Sequence, residues 1–209
     1  MESAEALDPA LSPRRRPKGD KRARTRTALV DAARQIIREH GYEALTLVSV
    51  AERAGMTTGA IYGNFKNRTD LLMAVAEVSG APIMADTWPG MSFGELMHAL
   101  AKAVIEALPQ RRAAMVGTLG FHIQTLTHED LRQRSSVQTA EFYRRFAEGT
   151  AQLIPASQLP MPVEVLIPVV HALIDGLVLH RILTPELVPD EAIHAAFGAL
   201  AAGEPKSAP

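Results

Sequence analysis

The sequence predicts an all-α protein, with a small N-terminal three-helix helix-turn-helix unit joined to a larger C-terminal helical unit. Three observations predict it. Apolar residues recur at three- and four-residue spacing from Arg24 onward, and no stretch alternates at period two. Helix-starting residues stand just ahead of the apolar runs: Thr46, Thr57, Asn67 and Ser92. Gly55-Met56-Thr57 separates two short helical runs by a tight turn. The division expected is a basic disordered tail over 1–20, a helix-turn-helix unit over 21–79 and a larger helical unit over 80–209.

Each element follows from local chemistry. Pro9, Pro13, Pro17 and Gly19 break up the tail, and Arg14 to Arg24 form a basic arm suited to phosphates or an A·T-rich minor groove. Leu29, Ala32, Ala33, Ile36 and Ile37 form one face of a first helix, which ends at His40-Gly41 with Gly41 as a left-handed cap. Thr46 caps a second helix with Leu47, Val50, Ala51 and Ala54 inward, and Gly55 ends it. Thr57 caps a third, running to about Asn64, with Ile61 and Phe65 in the core. Asn67 caps a fourth, Asp70 three residues on resembles a capping box, and Leu71, Leu72 and Val75 continue its apolar face.

After a breaker-rich loop over 80–90, Ser92 and Glu95 form a capping box for a helix that Pro109 should stop near Leu108. A separate helix is expected over Arg111–Leu126, and a long amphipathic one over Glu129–Ile154. Residues 163–183 form an almost wholly apolar helix that Pro168 kinks or opens. Asp190 caps the last helix, with Ile193, Ala196, Phe197 and Leu200 on one face.

Composition narrows the function classes. The absence of cysteine excludes disulfides, thiolate metal sites and cysteine catalysis. The start, Met1-Glu2-Ser3-Ala4-Glu5, lacks an apolar signal region, so the cytoplasm is expected. The stretch Pro162–Leu183 contains Glu164, His171, Asp175, His180 and Arg181, which argues for a buried helix over a membrane span. Residues 1–72 carry 13 Lys/Arg against 9 Asp/Glu, and residues 73–209 carry 9 against 14. A polyanion partner therefore belongs at the front. No nucleophile–base pair or phosphate-cradling glycine loop is present, so an enzyme is not expected. Neither is a metal or a cofactor: His171 and Asp175 are four apart on one face, but two ligands do not make a metal site.

The strings Thr27–Ala33, Gly41-Tyr42-Glu43-Ala44, Val50–Thr57, Gly59–Lys66 and Leu71-Leu72 closely resemble the N-terminal domain of the TetR (tetracycline-repressor-like) family, over about a quarter of the chain. Leu173–Leu179 is similar to that family's penultimate helix. The resemblance implies a ligand-responsive repressor acting as a homodimer on a near-palindromic operator. Its DNA-facing residues would be Thr46, Thr57, Thr58, Gly59, Ala60, Tyr62, Gly63, Asn64 and Lys66. Thr46 and Thr57 open helices, where hydroxyls and free N–H groups suit phosphates. Gly59 and Ala60 allow close approach, Tyr62 follows the core Ile61 and so points outward, and Lys66 suits a phosphate. Val48 and Gly63 depart from the family pattern, which shifts specificity toward threonine methyls, DNA shape and the basic arm. The back two-thirds would dimerise through 163–201 and bind a small effector among Phe93, Met97, Met115, Phe121, His122, Phe142, Phe146 and His171. An architectural DNA-binding protein and an activator of the same family are the alternatives.

Overall fold

The computed structural model describes residues 18–79 and 82–203, and every regular element among them is helical. The tail over 1–17, with Arg14, Arg15 and Arg16, lies outside the described residues. Helix α1 spans Lys18–His40, so it opens before the expected boundary at residue 21. Helices α2 (Leu47–Arg53), α3 (Thr58–Tyr62) and α4 (Arg68–Ser79) complete the front unit. Helices α5 (Phe93–Thr127), α6 (Glu129–Leu153), α7 (Val163–Leu183) and α8 (Asp190–Ala201) build the back, where α5 packs against α6, α7 and α8.

Two glycines turn the chain where other residues would strain. Gly55 has φ +63°, with its N–H on Glu52 O and the Met56 N–H on Ala51 O, the paired bonds of a Schellman motif. Gly41 has φ +77° but ψ 179°, outside the left-handed helical region expected for it. The chain therefore leaves α1 extended and enters a 3-10 turn at Tyr42–Ala44.

Two apolar cores result. The first joins Leu29, Ala33, Val50, Ile61, Phe65 and Leu71, and it takes in Leu131 from α6. The second joins Met91, Met97, Val104, Leu166, Ile193 and Phe197. The expected inward faces of α1 to α4 and α8 are the observed ones.

Several local expectations change. α5 is one helix of 35 residues running through Pro109. A mid-helix proline costs one backbone bond and crowds the preceding turn, about 3 kcal/mol or more. Both halves are anchored against that cost: Leu96, Met97, Ala101 and Val104 lie in the second core, and Phe121 packs on the first. Pro168 lies inside α7 and does not open it. Asp190 does not cap α8; it is the first helical residue, and its carboxylate accepts from Arg181 Nη2 at 2.7 Å. The Asp70 carboxylate accepts from the Lys66 N–H at 2.9 Å, one residue before the Asn67 N–H of a reciprocal box, while Asn67 Oδ1 caps the Asp70 N–H at 2.8 Å. α7 is long and apolar enough to cross a membrane by length and composition. Within one chain it is only partly covered: Leu166, Ile167 and Val178 are buried, while Val165, Val169 and Leu183 are exposed.

A polar seam fixes the front unit to the back. Arg68 Nε donates to Leu45 O at 2.9 Å, Nη2 to Tyr42 O at 2.7 Å and Nη1 to Gln124 Oε1 at 3.1 Å. The Tyr42 hydroxyl donates to Gly117 O at 2.5 Å, and a Cβ at Gly120 would overlap the Tyr42 ring. From α6, Asp130 accepts from Thr69 Oγ1 at 2.7 Å, Arg134 pairs with Asp70, and Gln138 donates to Glu77 at 2.8 Å.

Replacing Phe65 by Ala, a side chain 1% exposed, is expected to cost about 3–5 kcal/mol in denaturant unfolding. A loss below about 1 kcal/mol would place Phe65 outside the core. Burial pushes the Tyr42 phenol up to about 12, against the pull of the Arg68 cation, from an ordinary value of 10.0. A raised folded-state value favours the neutral phenol. The stability it confers is complete below pH 10 and is lost as pH rises through about 12. Urea midpoints for wild type and Tyr42→Phe should therefore converge across that window, and a constant gap would show that Tyr42 is not held neutral.

Candidate nucleic-acid interface

Helices α2 and α3 are seven and five residues long, too short to stand alone, so their caps and neighbours decide their shape. Thr46 Oγ1 accepts from the Ser49 N–H at 3.0 Å, and Ser49 Oγ accepts the Thr46 N–H at 3.0 Å, a full capping box. Thr57 Oγ1 accepts from the Ala60 N–H at 3.2 Å. Such caps contribute about 1 kcal/mol each. The caps at Thr46 and Thr57 were legible in the sequence; Ser49 as the reciprocal partner was missed, although its position three residues after Thr46 was the available signal.

Ile61 and Phe65 are buried under α3, and this turns the opposite face outward. Thr46, Thr57, Thr58, Gly59, Tyr62, Gly63 and Lys66 are exposed, and Ala60 is half-buried. Tyr62 is 55% exposed, so its ring is available to a partner and is not packed within the unit. Val48, 48% exposed, stands on α2 as an apolar member of the same surface. Asn64 differs from the rest. Its side-chain amide donates to Ala60 O at 2.8 Å, and its Oδ1 is buried without a partner, so the group turns back on its own helix. Beside Lys66, the Arg134 guanidinium is the main influence holding the Asp70 carboxyl below the usual carboxylate range.

Arginines of α1 reach this surface from behind. Arg22 Nη2 donates to Gly63 O at 3.3 Å, and Arg26 Nη1 donates to Asn64 O at 3.3 Å while its guanidinium lies 4.5 Å from the Phe65 ring centre. Nothing local in the sequence marked these bonds, which span about forty residues.

The eight candidate effector residues do not converge on one cavity. Phe93 and Met97 are buried in the second core, with Met115 packed against it. Phe121 packs on the first core, and His122 is exposed with its ring tilted against Phe121. Phe142, Phe146 and His171 form a cluster with Tyr143, whose hydroxyl lies 3.1 Å from His171 Nδ1. His171 Nε2 also lies 3.6 Å from Asp175, an intrahelical contact. Four of the eight therefore lie in or against a core, three form the aromatic cluster, and His122 is exposed. Two open hollows are lined by other residues. One, about 390 Å³, is lined by Thr125, Arg132, Ser135, Ser136, Thr139, Ala140 and Tyr143. The other, about 370 Å³, is lined by α7 residues between Ala172 and His180 together with Val188 and Ala192.

This arrangement has known counterparts. The family model of bacterial regulatory proteins of the tetR family matches residues 29–75, and that of the BetI-type transcriptional repressor C-terminal region matches residues 94–204, more than half of the chain. The regulator BetI of Burkholderia thailandensis is 29% identical over 170 residues, covering 77% of this chain and 83% of that protein. A solved structure from Rhodococcus sp. described as a TetR-family transcriptional regulator has a TM-score of 0.65 at 20% identity, covering 87% of this chain and 98% of its own. SmeT, solved in complex with triclosan, has a TM-score of 0.54 at 20% identity, covering 85% of this chain and 90% of its own.

Proposed function

The chain belongs to the tetR family of bacterial regulatory proteins and is a DNA-binding transcriptional regulator, not an enzyme; we propose that it is a cytoplasmic repressor, released from a near-palindromic operator by a small molecule. The observation that carries this reading is the surface built by α2 and α3. Two capped short helices present Thr46, Thr57, Thr58, Tyr62 and Lys66 outward, and two small residues, Gly59 and Ala60, leave room for close approach. Thr46, Thr57 and Lys66 bind phosphates, and Thr58 and Tyr62 face base edges from the major groove.

The division of labour follows the two cores: residues through 79 bind DNA, and the remainder dimerises and receives the effector. The α7–α8 face supports a homodimer. Val165, Val169 and Leu183 are exposed, and the hollow beside them is nearly all apolar. Arg181 fixes the turn between the two helices by donating to Val188 O and Asp190. Pairing this face with its copy about a two-fold axis sets the recognition helices one DNA turn apart, about 34–36 Å. The hollow lined by Thr125, Ser135, Thr139 and Tyr143 lies on α5 and α6, next in sequence to the seam residues Gln124 and Arg134, and is the first place to seek an effector. Triclosan in SmeT makes small aromatic molecules the first class to screen. An effector that prefers another arrangement of seam and dimer lowers operator affinity by about 5–150-fold for a coupling of about 1–3 kcal/mol.

Fluorescence anisotropy on duplexes recovered from a random-sequence pool tests this reading. Tyr62→Ala should weaken binding by about 10–100-fold, equivalent to about 1–3 kcal/mol. Equal, salt-sensitive binding to selected and scrambled duplexes would instead favour an architectural role. Ala172→Arg, at an exposed position beside the α7 hollow, should halve the mass found by sedimentation and abolish tight binding. An unchanged dimer would move the interface elsewhere.

A further inference from the structure

We propose that Arg22 and Arg26 are positioning residues that set the pitch of the recognition helix, and so determine operator specificity, rather than clamps on DNA phosphates. The inference rests on the operator-binding reading above. It starts from the weakness of α3. A helix of five residues has few internal bonds, and its last carbonyls need donors from elsewhere. The Gly63 and Asn64 carbonyls lie just beyond its C-terminal end, where partial negative charge gathers. Arg22 and Arg26 stand one helical turn apart on α1, and each donates to one of those carbonyls, both at 3.3 Å. α1 itself is held by Leu29, Ala33, Ile36 and Ile37 in the first core. The end of α3 is therefore referenced to a long, anchored helix.

Arg26 performs two tasks at once. Its guanidinium donates to Asn64 O and lies 4.5 Å from the centre of the buried Phe65 ring. A planar cation can stack on a ring while one edge donates in a fixed direction; an ammonium on a flexible stem cannot reproduce both contacts. The residues just ahead of these anchors, Thr58 to Tyr62, carry the surface that meets base edges. A change in the tilt of α3 moves Tyr62 and Thr58 relative to the bases, while two of the three phosphate-facing groups stay in place: Thr46, which caps α2, and Lys66, whose N–H is held by Asp70 of α4.

The two roles predict different behaviour for a charge-preserving substitution. The probes are a duplex selected by the unaltered protein from a random-sequence pool and a scrambled duplex of the same composition. Arg26→Lys, Arg26→Gln and Arg22→Gln are each titrated at several salt concentrations. Positioning predicts that Arg26→Lys and Arg26→Gln both lose tenfold or more in affinity for the selected duplex. Binding to scrambled DNA and the salt slope should stay close to wild type, and Arg22→Gln should show the same pattern more weakly. A phosphate clamp predicts the reverse. Arg26→Lys would then keep its affinity, Arg26→Gln would weaken on both duplexes alike, and its salt slope would fall by about one; this result overturns the proposal. If the pool yields no preferred sequence, the operator reading itself fails, and hydrogen exchange on the free protein decides the positioning claim. Faster exchange at the Gly63, Asn64 and Phe65 amides in Arg26→Lys, with Leu29 and Leu71 unchanged, supports positioning. Unchanged exchange at all of these amides overturns it.

Discussion

The Arg68 guanidinium is the tie on which the placement of the recognition surface depends. It holds the Tyr42 carbonyl, which opens the turn between α1 and α2, and the Leu45 carbonyl, which closes it, and its third bond reaches Gln124 in α5. Gln124 is a buried polar side chain, 5% exposed, and it passes its amide on to Glu43 at 3.4 Å. Hydrogen bonds from a charged donor contribute about 1.5–3 kcal/mol, and leaving one such group unpaired in the interior costs as much or more. The turn, the α5 helix and the start of α4 are therefore held in one arrangement. Tyr42 lies against the bare backbone at Gly120, and Leu131 carries α6 into the first core.

That seam gives a regulator a physical route between its two ends. Helices α2 and α3 take their geometry from caps, from α1 and from α4, and α4 in turn is bonded to α6 through Thr69, Asp70 and Glu77. Short polar contacts thus join α5 and α6 to the helices that carry the recognition surface. The surface itself carries few long side chains, Tyr62 and Lys66 among them, so its shape depends on how its two short helices are held.

Much of this was legible in the sequence because it depends on local chemistry. Thr46, Thr57, Asn67, Ser92 and Glu95 act where their side-chain geometry requires, and the apolar spacing around Leu29, Ile61 and Leu71 marked the first core correctly. The remainder depends on partners distant in sequence. Pro109 reads as a stop because a local rule cannot see that both halves of α5 are anchored. Asp190 reads as a cap because Arg181, which takes its carboxylate, comes from another helix. The bond from the Asn64 amide to the Ala60 carbonyl was not legible either, because an asparagine at this position suits a local or a distant acceptor equally. The eight effector candidates share residue types suited to a pocket, but their spacing along the chain could not show that Phe93 and Met97 are buried in the second core while Phe142, Phe146 and His171 cluster elsewhere.

Differential scanning calorimetry of wild type and Arg68→Ala, at equal protein concentration, tests the seam most directly. One cooperative transition is predicted for the wild type, because the two cores are bonded into a single unit. Arg68→Ala is predicted to split it, with the front unit melting first and the second core melting near the original temperature. A single unshifted transition in Arg68→Ala would contradict the claim that this arginine holds the recognition unit to the body of the protein.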